Sequence, residues 1–295
     1  MPIFRRNHTG GTPAAGPGGA PSATAPTPSG EGDWRAYGSV AQEYQRLFGT
    51  RFDAPAKDLA DLASIEAGSR VLDVGAGTGI LTREVAGRLD GGRVIGIDRS
   101  PGMLAVAMGL GTSARYAAAD VIDLPFGDAT FDRLVSQFVM HHFTKYQTAL
   151  FDMLRVLTSG GRMALTTWAR NEDDLSAAWQ EVAEEFAERE ILASARESIS
   201  PWEELCADPE RLKGVLHDAG LRDIWIQKRE YRFEYTREEY LASREVTPGG
   251  RFLRQMLGDE FWPSLQRRAA DVFAERFPPS FNDFRYVIQA VGHKP

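Results

Sequence analysis

The sequence is poor in cysteine, in long apolar runs and in positive charge. Cys206 is the sole cysteine among 295 residues, which excludes an intramolecular disulfide and a multi-cysteine metal centre and predicts a reducing, cytoplasmic location. No segment approaches the ~18 apolar residues of a membrane span. Arg5 and Arg6 precede no apolar stretch, so we expect neither an anchor nor a signal peptide. The net charge of −7 speaks against a nucleic-acid partner.

The composition that remains is that of a globular protein with an unusual start. Hydrophobic residues make up 43% and charged residues 25% of the chain, which is enough for a sizeable core. In residues 1–32, however, 24 positions are Gly, Pro, Ala, Thr or Ser, which predicts a disordered tail. Aromatic residues then recur at helical spacing (Tyr37, Tyr44 and Phe48), so we place the folded domain at 33–295.

Short apolar runs alternate with helical patterns between Arg70 and Trp168. Four apolar runs predict strands, at Val71–Val74, Val94–Ile97, Phe131–Val135 and Arg162–Thr167, and Ala114–Ala118 is a weaker strand candidate. Such alternation builds βαβ units and a parallel sheet. After Trp168 helical patterns dominate, over about 170–206 and 236–281, with further strands at 224–233 and 284–291.

A glycine-rich turn follows the first strand. The segment Val71–Gly79 reads Val-Leu-Asp-Val-Gly-Ala-Gly-Thr-Gly, and a helix is predicted from Ile80. Glycines let the backbone approach a ligand closely, and the helix directs its N-terminus at that ligand. The next strand ends in Asp98, where a carboxylate can accept hydrogen bonds from both hydroxyls of a ribose. The pattern indicates a nucleotide-like cofactor.

The spacing of the glycines selects among such cofactors. A dinucleotide fingerprint needs its third glycine at position 80, which is Ile80. The glycines fall instead at 75, 77 and 79, in a loop that suits an adenosine with a neutral or cationic tail. This argues against a nicotinamide oxidoreductase.

With its glycines at these positions, Val71–Gly79 resembles motif I of the class I S-adenosylmethionine (SAM)-dependent methyltransferases. The resemblance extends over roughly 34–168, through Val94–Leu104, Ala119–Asp120 and Phe131–Phe143 to the segment that ends in Gly160-Gly161. It is nearest to the small-molecule enzymes of ubiquinone and menaquinone biosynthesis and their natural-product relatives. It implies an α/β fold, with a Rossmann-like seven-stranded, mostly parallel sheet, helices on both faces, and a helical cap inserted among the late strands.

The resemblance also implies roles for the glycine loop. Gly75, Gly77 and Gly79 would lie against the cofactor, SAM, whose product is S-adenosylhomocysteine (SAH). Asp73 would stand behind the loop and arrange its amides or a water, and Asp98 would bind the ribose hydroxyls.

Further cofactor contacts are implied outside the loop. Met103 would pack on the adenine, Asp120 would accept from its amino group, and Val121 would lie beside the ring. Gln137 would lie near the methionine end, and Tyr37 would close over the site.

Methyl transfer needs little covalent machinery beyond alignment and the exclusion of water. A hydroxyl or carbon nucleophile does need a base, and His141 and His142 lie just beyond the fourth strand, at the edge where ligands bind in such sheets. They are the candidate catalytic residues, although packing is an alternative for both. No spacing of ligand residues indicates a metal site. Trp168, Trp202 and the apolar residues of 245–281 are candidates for an acceptor wall.

Several functions remain open at this point. The favoured one is methyl transfer from SAM to a small, apolar or aromatic metabolite, at oxygen, with nitrogen and carbon as alternatives. A SAM-binding enzyme that catalyses a non-methylating reaction such as a cyclisation would show the same loop. The acidic balance disfavours an RNA acceptor, whereas a protein acceptor stays open. The acceptor, the pathway and the oligomeric state are left open by the sequence.

Overall fold

The computed structural model describes residues 36–89, 93–111 and 113–295. The predicted tail at 1–32 lies outside these residues.

Seven strands in the described residues form one sheet in the order β3-β2-β1-β4-β5-β7-β6. The first five strands of that order run parallel, and β7 is antiparallel to both β5 and β6. Their bounds are β1 Val71–Val74, β2 Val94–Asp98, β3 Arg115–Ala118, β4 Phe131–Gln137, β5 Leu157–Trp168, β6 Arg222–Thr236 and β7 Ser280–His293.

The described helices precede, connect and cap these strands. They are α1 Ala41–Phe48, α2 Asp53–Leu62, α3 Ile80–Arg88, α4 Pro101–Gly109, α5 Tyr146–Val156, α6 Asp174–Phe186, α7 Arg189–Ile199, α8 Glu203–Cys206, α9 Pro209–Ala219, α10 Arg237–Val246 and α11 Pro248–Arg276. Short 3₁₀ turns lie at Gly38–Val40 and Met140–His142. The axis of α11 breaks at Gly258, which has a φ of 62°.

Two hydrophobic clusters cover opposite faces of the sheet. Val71 and Val135 belong to one cluster, with α2, α3, α6, α10 and α11, whereas their neighbours Leu72 and Leu134 belong to the other, with α5 and α9. Successive side chains of a strand point to opposite faces, so this division shows that helices cover both faces. All four residues of β1 are buried, as in a parallel sheet covered on both sides. The predicted fold class is confirmed.

The late strands are longer than predicted. β6 pairs with β7 continuously from Trp225↔Val291 to Thr236↔Ser280, so the two form an antiparallel ribbon that extends past the ends of the predicted segments. The ribbon opens at Thr236 and Ser280, and α10 and α11 fill the chain between these residues. The helices of the predicted cap segment 236–281 are therefore carried on the end of the ribbon.

Local capping explains where several helices begin. Asp208 accepts hydrogen bonds from the amides of Glu210 and Arg211, at 2.9 and 3.0 Å, and Gly220 ends α9 at a φ of 117°. Thr236 and Glu239 form a reciprocal capping box that starts α10 where β6 ends. No helix among the described residues combines the length and the apolarity needed to cross a bilayer.

Asp208→Ala is expected to lower the free energy of unfolding by about 1 kcal/mol, because two amides of the first turn of α9 lose their acceptor. Urea denaturation checks this value. Asp218→Ala is the matched control, since Asp218 is an exposed carboxylate of the same helix. Equal stability losses in the two variants would contradict the assignment of the cap.

Candidate functional site

The loop after β1 adopts a backbone conformation that requires glycine. Gly75, Gly77 and Gly79 have φ values of 75°, 55° and 78°, in the left-handed region that other residues rarely adopt. A Cβ on Gly75 would lie 2.5 Å from the Cγ atoms of Val139, so the loop is in close contact with the segment after β4. The amides of Gly75 and Ala76 both donate to the carbonyl of Ile97 at 2.8 Å. The loop is thus fixed against two neighbouring strand ends.

Asp98, the last residue of β2, binds the same loop from the side. Its Oδ2 accepts the amide of Gly77 at 2.9 Å and its Oδ1 accepts the amide of Ser100 at 2.8 Å. A carboxylate has about four acceptor positions, so this geometry leaves some for a ligand. Burial raises the pKa of Asp98, and the two amide hydrogen bonds oppose the rise.

Asp73 lies behind the loop and is almost fully buried. Thr82 Oγ1 donates to Asp73 Oδ2 at 2.5 Å, which joins β1 to the first turn of α3. Burial raises the pKa of Asp73 to about 7, the hydrogen bond from Thr82 opposes the rise, and the nearby charge of Asp98 adds to it.

A cavity of about 1220 Å³ opens at the carboxyl edge of the sheet. It brings together most of the candidate residues, which line it from distant parts of the chain: Tyr37, Asp73, Gly75, Gly77, Asp98, Met103, Asp120, Val121, Gln137, His141 and His142. Gly79 is the exception. A Cβ at that position would lie 2.4 Å from the hydroxyl oxygen of Tyr116 and 3.1 Å from the Cβ of Ala107, so Gly79 faces β3 and α4.

Six aromatic residues, which we call the aromatic wall, line another part of the cavity: Phe48, Phe52, Phe138, Trp168, Phe233 and Tyr235. Phe138 stacks on Trp168 with ring centroids 4.0 Å apart and planes within 5°. Phe52 contacts both rings and also Phe233, at centroid distances of 5.2, 5.7 and 5.9 Å respectively. Phe138 has a φ of 57°, an unusual conformation for a bulky residue that places its ring beside the end of β5.

The acceptor wall predicted from the sequence overlaps only partly with this one. Trp168 belongs to it, whereas Trp202 donates to the carbonyl of Phe143 at 2.7 Å and does not line the cavity. Of the large apolar residues in 245–281, Phe252 and Leu253 line the cavity, whereas Phe273 is packed in the core. The sequence signal that identifies Phe138 and Trp168 is their place at the carboxyl ends of neighbouring strands.

The two histidines lie in the 3₁₀ turn after β4, with ring centroids 4.0 Å apart. His142 Nδ1 lies 3.1 Å from the carbonyl oxygen of Ile199. Because a carbonyl only accepts, Nδ1 carries the proton and Nε2 of the neutral ring keeps its lone pair. Burial lowers the pKa of His142, and it lowers that of His141 still further with help from the neighbouring ring. Both rings are therefore neutral at physiological pH.

A cation from α11 holds the chain that precedes α1. Arg251 Nη1 donates to the carbonyl of Ala36 at 2.5 Å, and its guanidinium lies 4.2 Å from the ring centroid of Tyr37. The Tyr37 ring lies 6.1 Å from that of His142. This clamp joins the start of the described chain to α11. The sequence does not reveal it, since Arg251 lies in a segment whose pattern is that of an ordinary helix.

Other reactive groups are not assembled into a centre. In the described ranges, no group of three or more His, Cys, Asp or Glu residues is placed to hold a metal ion. Cys206 is buried, and burial raises the pKa of its thiol to about 12, so it is not a nucleophile at neutral pH.

The central part of the chain is similar to known methyltransferases. A family model described as "Methyltransferase domain" matches residues 72–165. The chain is similar to the demethylmenaquinone methyltransferase of Thermus thermophilus, with 38% identity over 36% of this chain and 50% of that protein. It is also similar to the ubiquinone/menaquinone biosynthesis C-methyltransferase of Idiomarina loihiensis, with 30% identity over 57% of this chain and 72% of that protein.

The fold is shared with solved structures at lower identity. The phosphoethanolamine N-methyltransferase 2 of Haemonchus contortus, in complex with phosphomonomethylethanolamine and SAH, is 19% identical and matches with a TM-score of 0.56 over 89% of this chain and 60% of that chain. The chain spans about half the length of the Thermus relative that it matches.

Replacing Asp73 by Asn tests the buried carboxyl through the pH dependence of stability. Folding raises the pKa of the Asp73 carboxyl from its ordinary value of about 3.9 to about 7. The protonated carboxyl therefore stabilises the folded state, and this contribution is lost as the pH rises through the folded pKa. Relative to Asp73→Asn, the wild type is therefore expected to lose on the order of 4 kcal/mol of unfolding free energy between about pH 4 and pH 8. Urea denaturation across this range measures the difference.

The control for that experiment is Asp123→Asn, which changes an exposed loop carboxylate near the same edge of the sheet. Its stability is expected to follow that of the wild type at every pH. A difference between wild type and Asp73→Asn that stays constant with pH would contradict the account of Asp73.

Proposed function

Because the chain belongs to the class I SAM-dependent methyltransferases, we propose that it transfers a methyl group from SAM to a small-molecule acceptor with an apolar or aromatic body, at an oxygen atom. One observation carries the proposal. A single cavity joins the glycine loop and Asp98 to the aromatic wall, with His142 also in its lining. The cofactor supplies a methyl group already activated by its positive sulfur, so the protein has to align the acceptor and exclude water.

The glycine-loop end of the cavity fits the cofactor. Gly75 and Gly77 expose backbone there, and a Cβ on Gly77 would meet no atom within 4 Å. Thr78 Oγ1 also belongs to this part of the lining and is buried without a hydrogen-bond partner. Asp98 would bind the ribose hydroxyls with its remaining acceptor positions, and Asp73 would arrange the loop amides or a water at the methionine end.

The size of the cavity supports a second ligand. Single-ligand pockets range over about 300 to 1,000 Å³, and this cavity is larger, at about 1220 Å³. The aromatic wall would cover an apolar acceptor and keep water from the reacting atoms. Aromatic faces also attract a cation, which favours placing the charged sulfur beside them.

His142 is the group best placed to take a proton from the acceptor. Its Nδ1 is committed to the carbonyl of Ile199, which fixes the ring and leaves Nε2 as the basic atom. The lowered pKa keeps the ring neutral, and hence able to accept a proton, over a wide range of pH. A hydroxyl acceptor must lose its proton to a base during methyl transfer, which is why we favour transfer to oxygen.

His142→Gln is expected to lower the rate of methyl transfer by about 10²-fold or more, while the affinity for SAH stays within about twofold. Transfer is measured with methyl-labelled SAM and an acceptor found by screening for label incorporation. The acid limb of the wild-type pH profile is expected below about 6.5, because burial lowers the pKa of His142 from its ordinary value.

His217→Gln is the matched control, since His217 lies exposed on α9, away from the cavity. It is expected to leave transfer unchanged. If His142→Gln retained full activity and the same pH profile, the assignment of the base would be wrong.

The non-methylating alternative makes a different prediction about the cofactor. A cyclase of this fold would convert its substrate without consuming SAM, whereas a methyltransferase releases one SAH for each acceptor modified. Chromatographic measurement of SAH during turnover distinguishes the two, and conversion of an acceptor without release of SAH would overturn the proposed function.

A further inference from the structure

The arginines that line the cavity differ in whether a carboxylate already neutralises them. Arg170, Arg189 and Arg196 are exposed, and each is paired with a glutamate: Glu204, Glu184 and Glu203, respectively. Arg285 donates to Asp283 at 2.9 Å and lies 3.4 Å from Asp173. Arg99 is exposed and adjacent to Asp98 in the chain. The remaining arginine of the lining is Arg244.

Arg244 is half-buried, and its guanidinium has no hydrogen bond or ion pair to any of the described residues. Its Nε atom is fully buried without a partner. The guanidinium carbon lies 5.1 Å from the ring centroid of Tyr240, which fixes the group by a cation–π contact. Burial of a charged donor without an acceptor costs free energy, and a bound ligand that supplies the acceptor removes that cost.

The surroundings place Arg244 beside the aromatic wall. The Tyr240 ring lies 5.6 Å from that of Tyr235, a member of the wall, and both Tyr235 and Arg244 line the cavity. Two carboxylates near Tyr240 are engaged with other groups. Asp283 accepts from Arg285 with its Oδ2, while its Oδ1 is buried without a partner among the described residues, and Asp173 caps α6.

The backbone of Arg244 is also fixed by a hydrogen bond. Its carbonyl accepts from Thr247 Oγ1 at 2.6 Å, in the corner where α10 meets α11. A cation in the last turn of a helix also interacts favourably with the helix dipole. A side chain directed to solvent would give the same stabilisation. The dipole therefore does not account for a guanidinium packed on Tyr240 in the lining of a cavity.

We propose that the methyl acceptor carries an anionic oxygen group, a carboxylate or a phosphate, beside its aromatic body, and that Arg244 binds this group. A guanidinium matches such a group in two parallel, charge-assisted hydrogen bonds. The acceptor would then be anchored at the Tyr235 end of the aromatic wall. This inference rests on the proposed function in that it takes the aromatic part of the cavity as the acceptor site.

The test measures ligand binding to protein saturated with SAH, so it requires no knowledge of the natural acceptor. The probes are matched sets of aromatic carboxylates, their neutral primary amides and the corresponding aryl phosphates, beginning with 1-naphthoate, 1-naphthamide and 1-naphthyl phosphate. Thermal shifts rank each set and calorimetry gives the dissociation constants. Wild type is expected to bind an anionic member about tenfold or more tightly than its amide, and the stronger of the carboxylate and phosphate arms identifies the group.

Arg244→Gln is expected to abolish this preference, and Arg244→Lys to keep part of it. Arg170→Gln is the matched control, because it removes a cavity arginine that Glu204 already neutralises, and it is expected to keep the preference. All variants should bind SAH as the wild type does, which shows that they are folded. The proposal is overturned if wild type binds no anionic probe more tightly than its amide, or if Arg244→Gln retains the preference. Loss of SAH binding by the wild type would instead refute the proposed function.

Discussion

The contact between the glycine loop and the segment after β4 is the constraint on which the rest of the site depends. Gly75 lies so close to Val139 that no side chain can be added to it, and the amides of Gly75 and Ala76 share one carbonyl at the end of β2. The ends of three neighbouring strands are thereby joined at one point. The turn that follows β4 carries Phe138 and the two histidines, so the position of the loop also sets the position of the catalytic candidates.

The cavity has two parts, which differ in the chemistry of their lining residues. Toward β2 it is lined by carboxylates and exposed backbone, which suits a cofactor with hydroxyls and positive charge. Toward β5 and the ribbon of β6 and β7 it is lined by stacked aromatic rings, with Arg244 beside them. His142, whose ring is fixed by the carbonyl of Ile199, lines the same cavity. Under the proposed function, the first part would hold the charged methyl donor and the second part the apolar acceptor.

The sequence predicts the first of these parts much better than the second. Val71–Gly79 and Asp98 form a local pattern of a strand, a glycine loop and an acidic residue at the end of the next strand. This pattern predicts the parallel sheet, the loop conformation and the class of cofactor. The aromatic wall is assembled from Phe52, Phe138, Trp168 and Phe233, which are far apart in the chain and share no spacing. Arg244 and Arg251 occupy helical segments in which a charged residue ordinarily faces solvent. Only the tertiary structure shows that Arg244 lines the cavity and that Arg251 holds the chain beside Tyr37.

The central claim is that the glycine loop and Asp98 form a SAM site, and a calorimetric titration with SAH tests it most directly. With NADH as the control ligand, the account predicts micromolar binding of SAH, no heat from NADH, and a large loss of SAH affinity in Asp98→Asn, which keeps an acceptor for the amide of Gly77 but lacks the charge. A folded protein that bound NADH, or that bound neither ligand, would contradict it.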